Sequence, residues 1–165
     1  MKAVLTGLDY DFRTFTMDSF VSWLETRLGR EIRFKSWPMP PGLFGVWLSD
    51  AEEPVEYIFY DDKGPLIQQV HIQLHELSHM ICAHPTARLT RLEMQKLLLA
   101  SVENPAVLNP ALLRASAQNE VEEEAEILAS LIQHRVIQNK RAAQLAITAS
   151  SDQDLAAHFK SLELV

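Results

Sequence analysis

The chain contains a single cysteine, Cys82, so no disulfide can form within it. That fits a reducing compartment. It has no apolar run approaching the about eighteen residues that a membrane-spanning helix requires. The opening MKAVLTGLDYDF meets Asp9 and Asp11 before any apolar stretch long enough for a signal peptide. Basic residues are also in deficit: 15 Lys and Arg stand against 22 Asp and Glu, a net charge of −7. A nucleic-acid binder needs a basic face for phosphates, and the short cationic stretch Asn139-Lys140-Arg141 reads as the end of a helix instead. No repeat, low-complexity tract or interdomain linker is visible, and no DNA-binding motif. These absences lead to the expectation of a cytoplasmic protein, folded as one domain over residues 1–165, that binds neither membrane nor nucleic acid directly.

What is present suits a packed core: 47% of the 165 residues are apolar. Phe20, Val21, Leu24 and Leu28 recur at helical spacing ahead of Gly29, which predicts a helix over 17–28. EIRFKSW alternates as a strand does, and Pro38, Pro40, Pro41 and Gly42 then impose a loop. LFGVWLS and VEYIFYD follow as two strands, with Asp50 to Pro54 as their hairpin turn. From Pro65 to Ala83 the apolar residues return at intervals of three or four, which predicts a long amphipathic helix stopped near Pro85. Further helices are predicted over Thr90–Ala100, Asn119–Gln138 and Asp152–Leu162. The expected fold is α+β, with a small antiparallel sheet of about three strands on a mostly helical body.

The Pro65–Ala83 helix carries LHELSHMICAH, within which His75-Glu76-Leu77-Ser78-His79 is H-E-x-x-H. Residues four apart on a helix share a face, so His75 and His79 can grip one Zn²⁺ while Glu76 reaches a water as general base. His71 extends the ladder, but each step drifts about 40° around the helix, so a third rung converges poorly. His71 reads as a surface residue or a support for the others. Metalloproteases with a third histidine ligand space it six residues beyond the second, after a turning glycine. His84 falls one residue short of that, with Cys82 where the glycine belongs. It is expected at the helix end or the border of a cleft.

Catalytic zinc takes three protein ligands and keeps one position open. The run Glu120-Val121-Glu122-Glu123-Glu124-Ala125-Glu126 is the richest source of a third ligand. Most of these carboxylates are accounted for as an acidic first helical turn favoured by the dipole. Glu122 flanks the apolar stripe of Val121, Ala125, Leu128 and Ile132, yet spacing alone leaves Glu122 and Glu123 both open. A strand near the motif helix would line the cleft and pair with an extended peptide. VEYIFYD is the first candidate and LFGVWLS the second. Tyr57, Tyr60, His84 and His134 carry groups able to steady an oxyanion, although packing accounts for each of them as well.

The motif His75-Glu76-Leu77-Ser78-His79, with His84 after it and Glu122-Glu123-Glu124-Ala125-Glu126-Ile127-Leu128-Ala129 on a later helix, resembles the ImmA/IrrE family of metallopeptidases. The resemblance implies a zincin-like domain, a Zn²⁺ cofactor and Glu122 as the third ligand. Glu126 stands where the family has Asn or Asp, Leu128 where it has an aromatic residue, and Ser78 where glycine is common. Glu126 is then expected to orient His75 or His79, or to reach the metal itself. The resemblance further implies a protein or peptide substrate such as a helix-turn-helix repressor. The resulting expectation is a zinc-dependent endopeptidase. The alternatives are a non-catalytic, metal-stabilised regulatory or toxin-antitoxin partner, and hydrolysis of a non-peptide bond. The segment 101–118 is placed as a cover for the open metal position.

Overall fold

A computed structural model describes residues 2–108 and 119–162 of the chain. Among these residues it is an α+β arrangement of five helices, α1 (Lys2–Gly7), α2 (Met17–Leu28), α3 (Leu66–Ile81), α4 (Arg91–Glu103) and α5 (Asn119–Leu162), and four strands, β1 (Glu31–Ser36), β2 (Gly45–Asp50), β3 (Val55–Tyr60) and β4 (Arg88–Leu89). Among the described residues, no helix is long and apolar enough to cross a membrane.

Local sequence explains where several elements start and stop. The Thr16 hydroxyl accepts the Ser19 N–H at 3.1 Å, and the Ser19 hydroxyl accepts the Thr16 N–H at 3.2 Å. This reciprocal cap opens α2, which Gly29 closes in the left-handed region at φ 66. Thr90 and Glu93 make the same cap for α4. Helix α5 departs from expectation: it runs without a break through Gln138 and Asp152. Beyond Val136 its described side chains are mostly exposed. The helix therefore continues there on the intrinsic preference of residues such as Ala142, Ala143 and Leu145 rather than on a buried face.

The expected hairpin is present, with β2 and β3 antiparallel and Gly45 opposite Tyr60. The sheet nevertheless has four strands, not about three, and is mixed, not antiparallel, in the order β1-β3-β2-β4. The proline loop after β1 carries the chain past the end of β3, where Trp37 N–H donates to the Tyr60 carbonyl and Asp61 N–H to that of Phe44. β2 is thus laid on the far side of β3. Since β2 and β3 form a hairpin, β1 meets β3 in parallel, Glu31 beside Val55. The missed strand β4 is two residues long and pairs only with Ser49 and Asp50. β3 lies inside the sheet, which removes VEYIFYD as the substrate-facing edge. β2, the second candidate, is flanked by β4 only at Ser49 and Asp50, so its Gly45 end lies beyond that pairing.

Alternation sends the two faces of the sheet to different cores. Trp47 and Ile58 join Phe20, Leu24, Leu74, Leu77, Leu128 and Ile132 on the α3 side. Val46, Leu48 and Phe59 meet Met94, Leu98 and Leu108 on the α4 side. A buried polar knot ties three strands together. The Glu56 carboxylate accepts from Arg30 Nε, from Trp47 Nε1 at 2.6 Å and from Ser49 Oγ at 3.1 Å. The same Arg30 guanidinium donates to the carbonyls of Asp50, Glu53 and Val55, each at 3.2 Å, and so pins the start of β1 to the hairpin. Of the cover placed over 101–118, residues 109–118 lie outside the described residues.

Candidate metal centre

α3 and α5 run antiparallel: contacts pair His75 with Glu122, His71 with Glu126 and the Ile67 carbonyl with Gln133. They come close because Ala125 and Ala129, both fully buried, present only methyl groups between Leu128 and Ile132. This packing turns one edge of the glutamate run toward the histidines. His75 Nε2 lies 3.1 Å from His79 Nε2, and Glu122 Oε2 is 3.3 Å from the first and 3.5 Å from the second. Tetrahedral ligands about 2.0–2.1 Å from a zinc ion stand about 3.3 Å from one another. The three measured separations therefore suit one small ion, and two imidazoles with a carboxylate leave a fourth position open. Glu123, the other sequence candidate, is exposed and contributes nothing to this cluster.

Glu76 is only 2% exposed and lies against β2. A side chain on Gly45 would begin 2.8 Å from Ile72 Cγ2 and 3.1 Å from Glu76 Oε1. Glycine at this point is what lets β2 approach the motif helix.

Two further glutamates of the run, Glu126 and Glu124, lie against histidines. Glu126 bridges two of them, 3.1 Å from His71 Nε2 and 3.4 Å from His75 Nδ1. Burial opposes its charge, but the hydrogen bond and charge of His71, with help from His75 and Ser130, outweigh that and hold the carboxyl below the usual range. His71 Nδ1 is in turn 3.0 Å from Gln133 Oε1. Glu126 thus lies against His75, and its arm is long enough to reach a second histidine one turn away.

His84 is brought back to the site by the end of α3. Ala83 takes φ 55, its N–H donates to the Met80 carbonyl at 3.1 Å, and the His84 N–H donates to that of His79 at 2.9 Å. This is the six-to-one turn that usually employs glycine. An alanine there carries strain of about 1–2 kcal/mol. The turn folds the buried His84 ring against His79, centroids 5.0 Å apart. Cys82 beside it is no activated nucleophile, because burial first and the charge of Glu124 second push its thiol up.

Comparison with models of known protein families gave no match, and neither did comparison with curated proteins or with solved structures.

Three sequence candidates lie outside the His75, His79 and Glu122 group. Tyr57 points to the α4 side of the sheet, where with Trp37, Phe59, Arg91, Met94 and Leu98 it lines a cavity of about 320 Å³. Tyr60 lies opposite Gly45 in register, and its ring packs edge-on against Phe34. His134 is exposed on α5. Reading the sequence missed Glu124, whose Oε2 is 3.2 Å from His84 Nε2. Helical spacing gives no signal for it, since residue 124 does not share the face of 122 and 126.

Proposed function

We propose that the chain is a zinc-dependent endopeptidase with a zincin-like architecture and a site of the ImmA/IrrE kind. The observation that carries this reading is the convergence of His75, His79 and Glu122 atoms at separations of 3.1 to 3.5 Å. The buried carboxylate of Glu76, the next residue after His75, adds the base that a purely structural site would not need.

When bound, Zn²⁺ supplies Lewis acidity, which acidifies a water and polarises the carbonyl under attack. Glu76 would take a proton from that water as the water oxygen bonds to the carbonyl carbon. The same carboxyl would then give the proton to the amide nitrogen as the C–N bond breaks, releasing a carboxylic acid and an amine. Glu126 holds His75 through Nδ1, which keeps Nε2 turned to the cluster. The edge of β2 at Gly45 is the place for an extended substrate to pair, because it borders Glu76. A helix-turn-helix repressor is the substrate that the resemblance suggests.

The test is metal content and proteolysis together. The purified chain should bind one equivalent of zinc and cleave members of a peptide library, and chelation should stop cleavage until zinc is restored. Cleavage that persists after complete metal removal, or a chain that takes up no zinc, defeats the proposal. Gly45→Ala should lower kcat about tenfold by displacing Glu76, with zinc still bound. An unchanged kcat would show that the close approach of β2 does not position the base.

A further inference from the structure

His79 sits at the end of a chain of side chains that reaches the surface. Its Nδ1 is 2.9 Å from His84 Nδ1, and His84 Nε2 is 3.2 Å from Glu124 Oε2. His79 is fully buried and His84 is 9% exposed, so neither ring has bulk water as an easy substitute partner. The Ala83 turn supplies the position: without it the chain would leave α3 in another direction, and the His84 ring would not face His79.

The order of donors along this chain follows from what each group can do. A carboxylate only accepts, so His84 Nε2 carries the hydrogen it shares with Glu124. A neutral His84 ring then offers a lone pair at Nδ1. Two nitrogens 2.9 Å apart need one hydrogen between them, which must come from His79 Nδ1. That leaves the lone pair of His79 on Nε2, the atom facing His75 and Glu122. The opposite tautomer would put an N–H into the cluster.

We propose that Glu124 and His84 form a relay that fixes the tautomer of His79 and aims its Nε2 lone pair at the metal position. His84 is thereby a positioning residue and not a ligand. Both the tautomer and its consequence for metal affinity rest on the zinc reading above, because without an ion the 3.1 Å approach of His75 Nε2 would itself call for a hydrogen on one of the two Nε2 atoms. Because the side chain of Glu124 is 51% exposed, its share of the effect is smaller than that of His84.

Two measurements test this. Nitrogen NMR of the zinc-loaded protein with ¹⁵N-labelled histidine should show His79 protonated at Nδ1 and His84 protonated at Nε2 alone. His84 protonated at Nδ1 in a zinc-loaded chain overturns the relay alone, whereas a chain that takes up no zinc defeats the peptidase reading as well, so the two failures are distinguishable. Zinc affinity, read by competition with a chromophoric chelator, should fall about 10–100-fold in His84→Leu. His84→Gln should stay within about threefold of the parent chain, because its amide oxygen accepts from His79 while its NH₂ donates to Glu124. A residue that merely fills space would be replaced better by leucine than by glutamine. Equal affinity in His84→Leu and the parent chain, or equal losses in both variants, overturns the proposal.

Discussion

Glu76→Gln is expected to leave one equivalent of zinc bound and to cut peptide hydrolysis by about 10²–10⁴-fold. The amide has nearly the volume of the acid, so it fits the same buried space beside Gly45 and Ile72. Glu76 is not among the three residues whose donor atoms converge, so the proposed ligand set of His75, His79 and Glu122 would be unchanged. What disappears is the capacity to take a proton from water and hand it to the departing amine. Metal analysis alongside single-turnover cleavage separates the two effects. Should the variant cleave at the parent rate, Glu76 is not the base. Should a regulatory output survive in the complete absence of cleavage, the protein acts as a metal-stabilised binding partner and the peptidase reading falls.

The largest effect on folding is expected at Glu56→Ala, about 3–5 kcal/mol in denaturant unfolding. Glu56 is 4% exposed and serves Arg30, Trp47 and Ser49 together. Truncation strands a guanidinium that is only a quarter exposed, orphans an indole N–H and opens a cavity between β2 and β3. Glu56→Gln should cost less, since its oxygen can still accept from Trp47 while the charge on Arg30 goes unmatched. A loss below about 1 kcal/mol for the alanine variant would mean that Arg30 finds water, and that the knot is not what joins β1 to the hairpin.

The placement of Glu76 and Glu56 shows two grades of legibility. The H-E-x-x-H pair can be read directly, because four residues on a helix return nearly to the same face whatever the rest of the chain does. The hairpin around Asp50 is legible for a similar reason. Its turn is closed by the Asp50 side chain accepting from the N–H groups of Glu52 at 2.9 Å and Glu53 at 3.2 Å, all within four residues. The parallel pairing of β1 is another matter. It depends on which side of β3 the proline loop delivers β2, and Trp37 and Asp61 settle that by bonding to strands distant in sequence. The unbroken α5 was hidden because Ser150, Ser151 and Asp152 have the composition of a helix cap, yet they continue a helix already under way.

By itself, then, the sequence determined the α+β class, the helix that bears the motif, and the two histidines and one carboxylate that could do chemistry there. Those features rest on hydrogen bonds and periodicities that span a few residues. Only the tertiary structure decided that Glu122 joins the histidines, that Glu126 holds His75 and His71, that Glu124 reaches His84, and that β2 is the strand beside Glu76. Each of those choices is made where α5 meets α3 or the sheet meets α3. There the outcome depends on how closely Ala125, Ala129 and Gly45 let the elements approach, a distance that no local pattern encodes.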